Sequence, residues 1–173
     1  MTSSRIKARA HILGNDISLD LILPQTAFDI SADNAGLARH AFSGADKTLV
    51  SNFGEGDIIL AGSNFGVCFD ACPNTHLEKT VACLKELKVS CIIAGSFSRL
   101  FYRSAINGGL PLIESKEAFR LVKPREEIEI DLLKGEIHHK AGVINIAPLP
   151  ESLKRIIDAG GLVAYVKRAA GGR

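Results

Sequence analysis

The chain has 173 residues, of which 46% are hydrophobic and 23% are charged, and its formal net charge at pH 7 is +2. This length fits one domain, which we place at 1–173, with a core large enough to fold without a metal or a disulfide. A nearly balanced charge argues against nucleic acid as a partner, and no apolar run reaches the roughly 18 residues of a membrane span. The start of the chain lacks the apolar segment of a secretion signal, so we expect a cytoplasmic protein.

The first third of the chain is predicted to hold two short strands followed by little regular structure. Two apolar runs within 6–23 flank a polar turn at 14–16, and Pro24 ends the second run. This pattern is typical of strands around a turn. Residues 25–53 show no strong period, and a short helix is predicted at 36–42.

The middle of the chain is predicted to continue with a strand, a tight loop and a helix. Residues 57–61 form an apolar run that enters the loop Gly62-Ser63-Asn64-Phe65-Gly66. A helix is predicted to start at Thr75, because Thr75 and Glu78 have the spacing of a capping box. Its buried stripe is predicted to consist of Leu77, Val81, Leu84 and Leu87.

The second half is predicted to alternate strands and helices and to end in hairpins and a final helix. A strand at 89–94 runs through the turn at 95–98 into a helix at 99–107, which Gly108 and Gly109 end. The later predictions are strands at 110–113, 124–133 and 136–140, helices at 115–122 and 151–159, and a frayed tail at 167–173. This mixture favours an α/β domain with a mixed sheet.

The turn at 95–98 is the feature that most suggests ligand binding. Free N–H groups at a helix start attract anions. Arg99 and Arg103 are four residues apart and share a face of the predicted helix. Two guanidiniums beside a helix N-terminus would suit a carboxylate or a phosphate. The alternative is a surface helix with two solvated arginines, and charges at this spacing are common on such helices.

His76 and its neighbouring cysteines raise two further hypotheses. In the first turn of a helix a histidine protonates less readily, so His76 could serve as a general base, and a partly exposed bystander is the alternative. Cys68, Cys72 and His76 follow one another at equal spacing. Tight zinc hairpins commonly use Cys-x2-Cys and no fourth ligand is found, so we expect no metal site and reduced cysteines.

Four segments, in order, carry the motifs of one known family. Gly56 to Gly66 reads Gly-Asp-Ile-Ile-Leu-Ala-Gly-Ser-Asn-Phe-Gly, and the most similar segment, Ile92 to Pro111, includes Gly-Ser-Phe-Ser-Arg-Leu-Phe-Tyr-Arg. The other two segments are 15–24 and 147–167. These segments resemble the family of 3-isopropylmalate dehydratase (isopropylmalate isomerase) small subunits, whose motif at the first of them is Gly-Asp-x-Ile-x-x-Gly-x-Asn-Phe-Gly and which correspond to the swivelling domain of the aconitase superfamily.

The resemblance implies a swivelling β/β/α domain without a cofactor of its own, paired with a large subunit that holds a [4Fe–4S] cluster. The pair would dehydrate and rehydrate a hydroxy-di- or tricarboxylate in leucine biosynthesis, as a cytoplasmic heterodimer. A serine of the small subunit would remove the proton and arginines would clamp the carboxylates. The residues that would line this site are Asn64, Ser96, Arg99 and Arg103.

The chain departs from the family at its Ser-Ser-Arg-Glu motif, which falls on Thr75-His76-Leu77-Glu78. His76 and Thr75 become the catalytic candidates, and Leu77 stands where an arginine would bind a carboxylate. Losing such a contact costs on the order of 2–5 kcal/mol. The resemblance therefore implies a hydro-lyase small subunit with an altered site. The alternatives are a non-catalytic swivel-domain paralogue that binds or regulates a partner and, third, a metal-responsive module built on Cys68, Cys72 and His76.

Overall fold

A computed structural model describes residues 5–30, 33–46, 48–69 and 73–171 of the chain. Its strands are β1 (Arg5–Ile12), β2 (Ile58–Ala61), β3 (Ile92–Ala94), β4 (Leu112–Glu114), β5 (Glu127–Asp131), β6 (Glu136–His139) and β7 (Gly142–Asn145). Its helices are α1 (Leu19–Ile22), α2 (Ala27–Ile30), α3 (Asn34–Ala38), α4 (Leu49–Asn52), α5 (Asn74–Glu86), α6 (Arg99–Asn107), α7 (Lys116–Leu121), α8 (Glu151–Asp158) and α9 (Leu162–Gly171).

The strands form one seven-stranded sheet in the order β4-β3-β2-β1-β5-β6-β7. Strands β1 to β4 pair in parallel, with Ile59 opposite Ile92, whereas β5, β6 and β7 join by antiparallel pairing. Every residue of β2 and β3 is buried, because both faces of these central strands are covered. The predicted mixed sheet is confirmed.

Two layers of apolar side chains cover the two faces of the sheet. Successive residues of a strand point to opposite faces. Accordingly, Ile59 belongs to the layer under the helices α1 to α6, and Ile58 and Leu60 belong to the layer under α7 and the antiparallel strands. The first layer also contains Phe65 and Phe101, which come from the segments that carry the candidate site.

The second predicted strand is wrong, because Leu19–Ile22 forms the helix α1. The Ser18 side chain accepts a hydrogen bond from the backbone N–H of Leu21 at 3.3 Å and caps this helix. Leu19 and Ile22 are both buried, and their spacing of three residues is that of one helix face. A short apolar run does not distinguish the two structures by periodicity.

The predicted Thr75 cap is also wrong. Helix α5 begins at Asn74, after Pro73, and no side chain caps it. Proline fixes its own φ in a range suited to the start of a helix, so the helix begins without a capping side chain. At the other end of the chain, α9 continues to Gly171, so the predicted tail is helical over 167–171, and 172–173 lie outside the described residues. Across the described ranges, no helix has the length and apolarity that a bilayer crossing requires.

Candidate functional site

Three loops at the carboxyl ends of β1, β2 and β3 bond to one another and form what we call the loop cluster (residues 13–18, 62–67 and 95–98). The carboxyl ends of parallel strands meet at one edge of a sheet, where ligands of α/β proteins commonly bind. The Asp16 N–H donates to the Ser63 carbonyl at 2.8 Å, and the Phe65 N–H donates to the Ser96 carbonyl at 3.0 Å. The loop cluster is therefore held by its own backbone.

Asn64 joins the loops through both its backbone and its side chain. Its backbone N–H donates to Ser96 Oγ at 2.9 Å, and its Nδ2 donates to Asp16 Oδ1 at 2.7 Å. Asn64 and Asp16 have φ angles of 62° and 54°, a region that asparagine and aspartate adopt more readily than most residues. The structure thus brings Asn64 and Ser96 together and adds Asp16. The polar turn after β1 was the signal in the sequence that could have identified it.

Ser98 links the loop cluster to the start of α6. Its Oγ donates to the Gly66 carbonyl at 2.6 Å and accepts from the Phe101 N–H at 3.2 Å. Gly66 has a φ of 75°, and a Cβ at this position would collide with the Phe101 side chain. The glycine is therefore required both by its backbone angle and by the close approach of Phe101.

We expect Ser98→Ala to lower the free energy of unfolding by about 1–2 kcal/mol, because the cap bond and the bond to the neighbouring loop are both lost. The measurement is urea unfolding of the purified chain. Ser152→Ala is the matched control, since Ser152 is exposed on α8 and makes no side-chain hydrogen bond among the described residues. Equal losses in the two variants would contradict the role assigned to Ser98.

Arg99 and Arg103 line one cavity, which we call the Arg99 cavity, of about 680 Å³ between α6, β4 and the segment 146–150. The prediction that the two arginines share a face is therefore confirmed. Both are exposed, and neither has an ion pair or a side-chain hydrogen bond within the described part of the chain. Arg103 also reaches a second cavity of about 730 Å³ between α5 and α6.

His76 lies elsewhere, with its ring buried against α1 and α2. Its residue is 5% exposed, its Nε2 lies 2.9 Å from the Leu23 carbonyl oxygen, and the Phe28 ring meets it edge-on at 5.1 Å. It lines neither of the two cavities described above. Thr75 is exposed at the start of α5. The catalytic roles of His76 and Thr75 stay predictions, and the geometry favours a structural role for His76.

Substitution of His76 separates these roles. His76→Ala leaves the buried Leu23 carbonyl unpaired, so we expect it to cost about 1–3 kcal/mol of unfolding free energy. His76→Gln offers an N–H at a similar reach, so we expect most of the stability and of any turnover to be retained. Urea unfolding and activity are measured on the same preparations. Loss of turnover in a His76→Gln variant of unchanged stability would support the base assignment instead.

The described residues do not fit a metal cluster. They contain no group of three or more His, Cys, Asp or Glu that could hold a metal ion. Burial disfavours the thiolate and raises the pKa of Cys83 and of Cys91 to about 12, whereas iron–sulfur clusters are held by thiolates. Cys68 is half-buried. The metal-responsive hypothesis also needs Cys72, which lies outside the described residues.

The chain is similar over nearly its whole length to curated small subunits of 3-isopropylmalate dehydratase. It is 40% identical to that of Moorella thermoacetica over 94% of this chain and 95% of the relative. It is 40% identical to that of Caldicellulosiruptor saccharolyticus over 93% and 90% of the two chains, and 36% identical to small subunit 1 of Methanopyrus kandleri over 94% and 93%. No family model matches the chain.

The fold is similar to a solved structure. The crystal structure of 3-isopropylmalate dehydratase (leuD) from Methanocaldococcus jannaschii matches with a TM-score of 0.84 and 36% sequence identity, over 96% of this chain and 95% of that one. This match confirms the predicted α/β swivel-type fold with a mixed sheet.

Proposed function

The chain belongs to the family of 3-isopropylmalate dehydratase small subunits, and from this premise we propose that it is the small subunit of a hydro-lyase that dehydrates and rehydrates a hydroxy-di- or tricarboxylate. The observation that carries the proposal is the near-full-length likeness to those small subunits in both sequence and fold. The loop cluster and the Arg99 cavity supply the polar groups that such a substrate needs.

A large subunit completes the proposed enzyme. The word "small" in the relatives' names implies a larger partner, and the family resemblance implies that this partner would hold the [4Fe–4S] cluster. Asn15, Asp16 and Asn64 of the loop cluster are exposed, so a partner could reach them. A partner that covers the loop cluster would enclose the substrate between the two proteins.

Arg99 and Arg103 would bind a carboxylate of the substrate. A guanidinium donates two parallel hydrogen bonds to a carboxylate, which fixes both the position and the orientation of the acid. Arg99 and Arg103 have no partner among the described residues, so no ion pair has to break before a substrate binds. Asn64 and Ser96 lie at the neighbouring edge of the sheet and would orient the polar end of the substrate.

The resemblance aligns Thr75 and His76 with the two serines of the family's motif. Removal of a proton next to a carboxylate needs a base within hydrogen-bond reach. His76 could supply that base only after giving up its contact with the Leu23 carbonyl and turning out of its buried position. Thr75, which is exposed, needs no such movement.

Reconstitution tests the proposal. The full chain is co-expressed with the large subunit encoded by the same organism, purified without oxygen, and assayed for loss of water from small hydroxy-diacids by the absorbance of the unsaturated product. We expect a stable complex that turns over one of these acids, with neither subunit active alone. Absence of both complex and turnover would overturn the proposal.

A second candidate is a non-catalytic paralogue that binds or regulates a partner. The observation that favours it is the buried His76 ring, which contacts the Leu23 carbonyl and does not line the Arg99 cavity. A stable complex with the large subunit that shows no turnover of any hydroxy-diacid would support this candidate over the first.

A further inference from the structure

The Arg99 cavity contains one charged group that a dicarboxylate does not use. Glu114, the last residue of β4, lines the same space as Arg99 and Arg103. It forms no ion pair with either arginine and no side-chain hydrogen bond within the described ranges. A cavity with two cationic groups and one anionic group can match a ligand that carries both charges.

The remaining walls of the Arg99 cavity are mainly apolar. They include Leu112, Leu132, Ile146, Pro148, Leu149 and Leu153. Leu112 comes from one edge strand of the sheet, whereas Ile146 directly follows the opposite edge strand. The sheet therefore curls until its two edges face each other across the cavity. The volume of the Arg99 cavity, about 680 Å³, falls within the roughly 300–1,000 Å³ of small-ligand sites.

We propose that the Arg99 cavity binds a free α-amino acid with an aliphatic side chain. Arg99 and Arg103 receive the α-carboxylate, Glu114 receives the α-ammonium group, and the apolar walls hold the side chain. Each charged group of the ligand then meets an opposite charge, and the aliphatic part leaves water. A second carboxylate placed near Glu114 would instead be repelled.

This ligand class has a regulatory consequence that rests on the proposed function. Arg99 and Arg103 also serve the proposed substrate, so an amino acid bound to them would compete with it. Binding itself does not depend on that function, because the isolated chain contains the whole cavity. A binding experiment and the reconstitution described above can therefore fail independently.

The test is isothermal titration of the purified full chain with three matched probes. L-Leucine carries both charges, 4-methylpentanoate lacks the ammonium group, and 3-methylbutan-1-amine lacks the carboxylate. We expect L-leucine to bind with a dissociation constant on the order of 0.1–1 mM, and each of the other two probes to bind at least about tenfold more weakly. The proposal would be overturned if 4-methylpentanoate bound as tightly as L-leucine does. It would also be overturned if L-leucine showed no binding at about 10 mM, which is tenfold above the weakest dissociation constant that we expect.

Glu114→Gln tests the anionic group directly. We expect the variant to bind L-leucine about tenfold more weakly, since a charge-assisted bond is lost, and to bind 4-methylpentanoate at least as well as the parent chain does. Glu117→Gln is the matched control, because Glu117 is exposed on α7 and does not line the cavity. Thermal unfolding confirms that both variants are folded. Unchanged L-leucine binding in a folded Glu114→Gln variant would remove Glu114 from the site and overturn the zwitterion assignment.

Discussion

Arg103→Ala should lower turnover by the reconstituted complex by about 30- to 5,000-fold. Losing a charge-assisted contact to a carboxylate costs about 2–5 kcal/mol, and each 1.36 kcal/mol is roughly a tenfold change in rate. Arg103 reaches both cavities beside α6 and is exposed without an ion pair among the described residues. Its removal therefore should not disturb the fold, and steady-state kinetics measure the loss.

Two further variants make this result specific. Arg103→Lys keeps the charge but loses the paired donors of the guanidinium, so we expect an intermediate loss that is expressed mainly in KM. Arg120→Ala removes an exposed arginine of α7 that lines neither cavity, and we expect full activity. If Arg103→Ala and Arg120→Ala behaved alike, the carboxylate-binding role of Arg103 would be wrong.

Asp57→Ala should lower the free energy of unfolding by about 3–5 kcal/mol, a large part of the roughly 5–15 kcal/mol of a typical domain. Asp57 Oδ2 lies 2.7 Å from His11 Nε2 and accepts the Gly54 N–H at 2.9 Å. The side chains of His11 and Asp57 are only 7% and 11% exposed. Removing the carboxylate leaves the buried His11 ring nitrogen without this partner and breaks the bond from the Gly54 N–H. Urea unfolding at neutral pH measures the loss.

The same carboxylate should make stability depend on pH. Burial alone would raise the pKa of Asp57, but the hydrogen bonds from His11 and Gly54 outweigh it and hold the pKa below its usual value. A folded-state pKa that is lowered adds stability above the unfolded pKa of about 3.9, and this stability is lost as the pH falls through the folded value. The stability difference between the parent chain and Asp57→Asn should therefore shrink below about pH 4. If the stability difference between the two proteins stayed constant from neutral pH to below about pH 4, this assignment would be wrong.

The sequence predicts this fold best where several signals coincide. The helix α6 has the predicted bounds, because a serine cap, an amphipathic stripe and a pair of glycines all define it. Where one apolar run was the only signal, as at Leu19–Ile22, strand and helix were indistinguishable and the burial against α5 decided the outcome. Strand β7 was not predicted, because Val143 is exposed and the run is too short to alternate clearly.

The sequence predicts which residues form the candidate site, but it does not predict where all of their side chains point. Arg99 and Arg103 follow from helical spacing, which is a local property. The inward direction of the His76 ring depends on contacts with Leu23 and Phe28, which are distant in sequence. The closure of the Arg99 cavity by the segment 146–150 depends on the curl of the whole sheet. Such long-range contacts have no signature in a single sequence.

The loop cluster has a consequence for how this architecture can change over time. Its loops are joined largely by backbone amides and carbonyls, including the bonds from Gly66 to Ile17 and from Ser98 to Phe65. Such bonds do not depend on which side chain is present. The outward side chains can therefore be exchanged without rebuilding the scaffold, and new ligand preferences can arise by single replacements. A chain built in this way has the latitude to diverge in chemistry while preserving its shape.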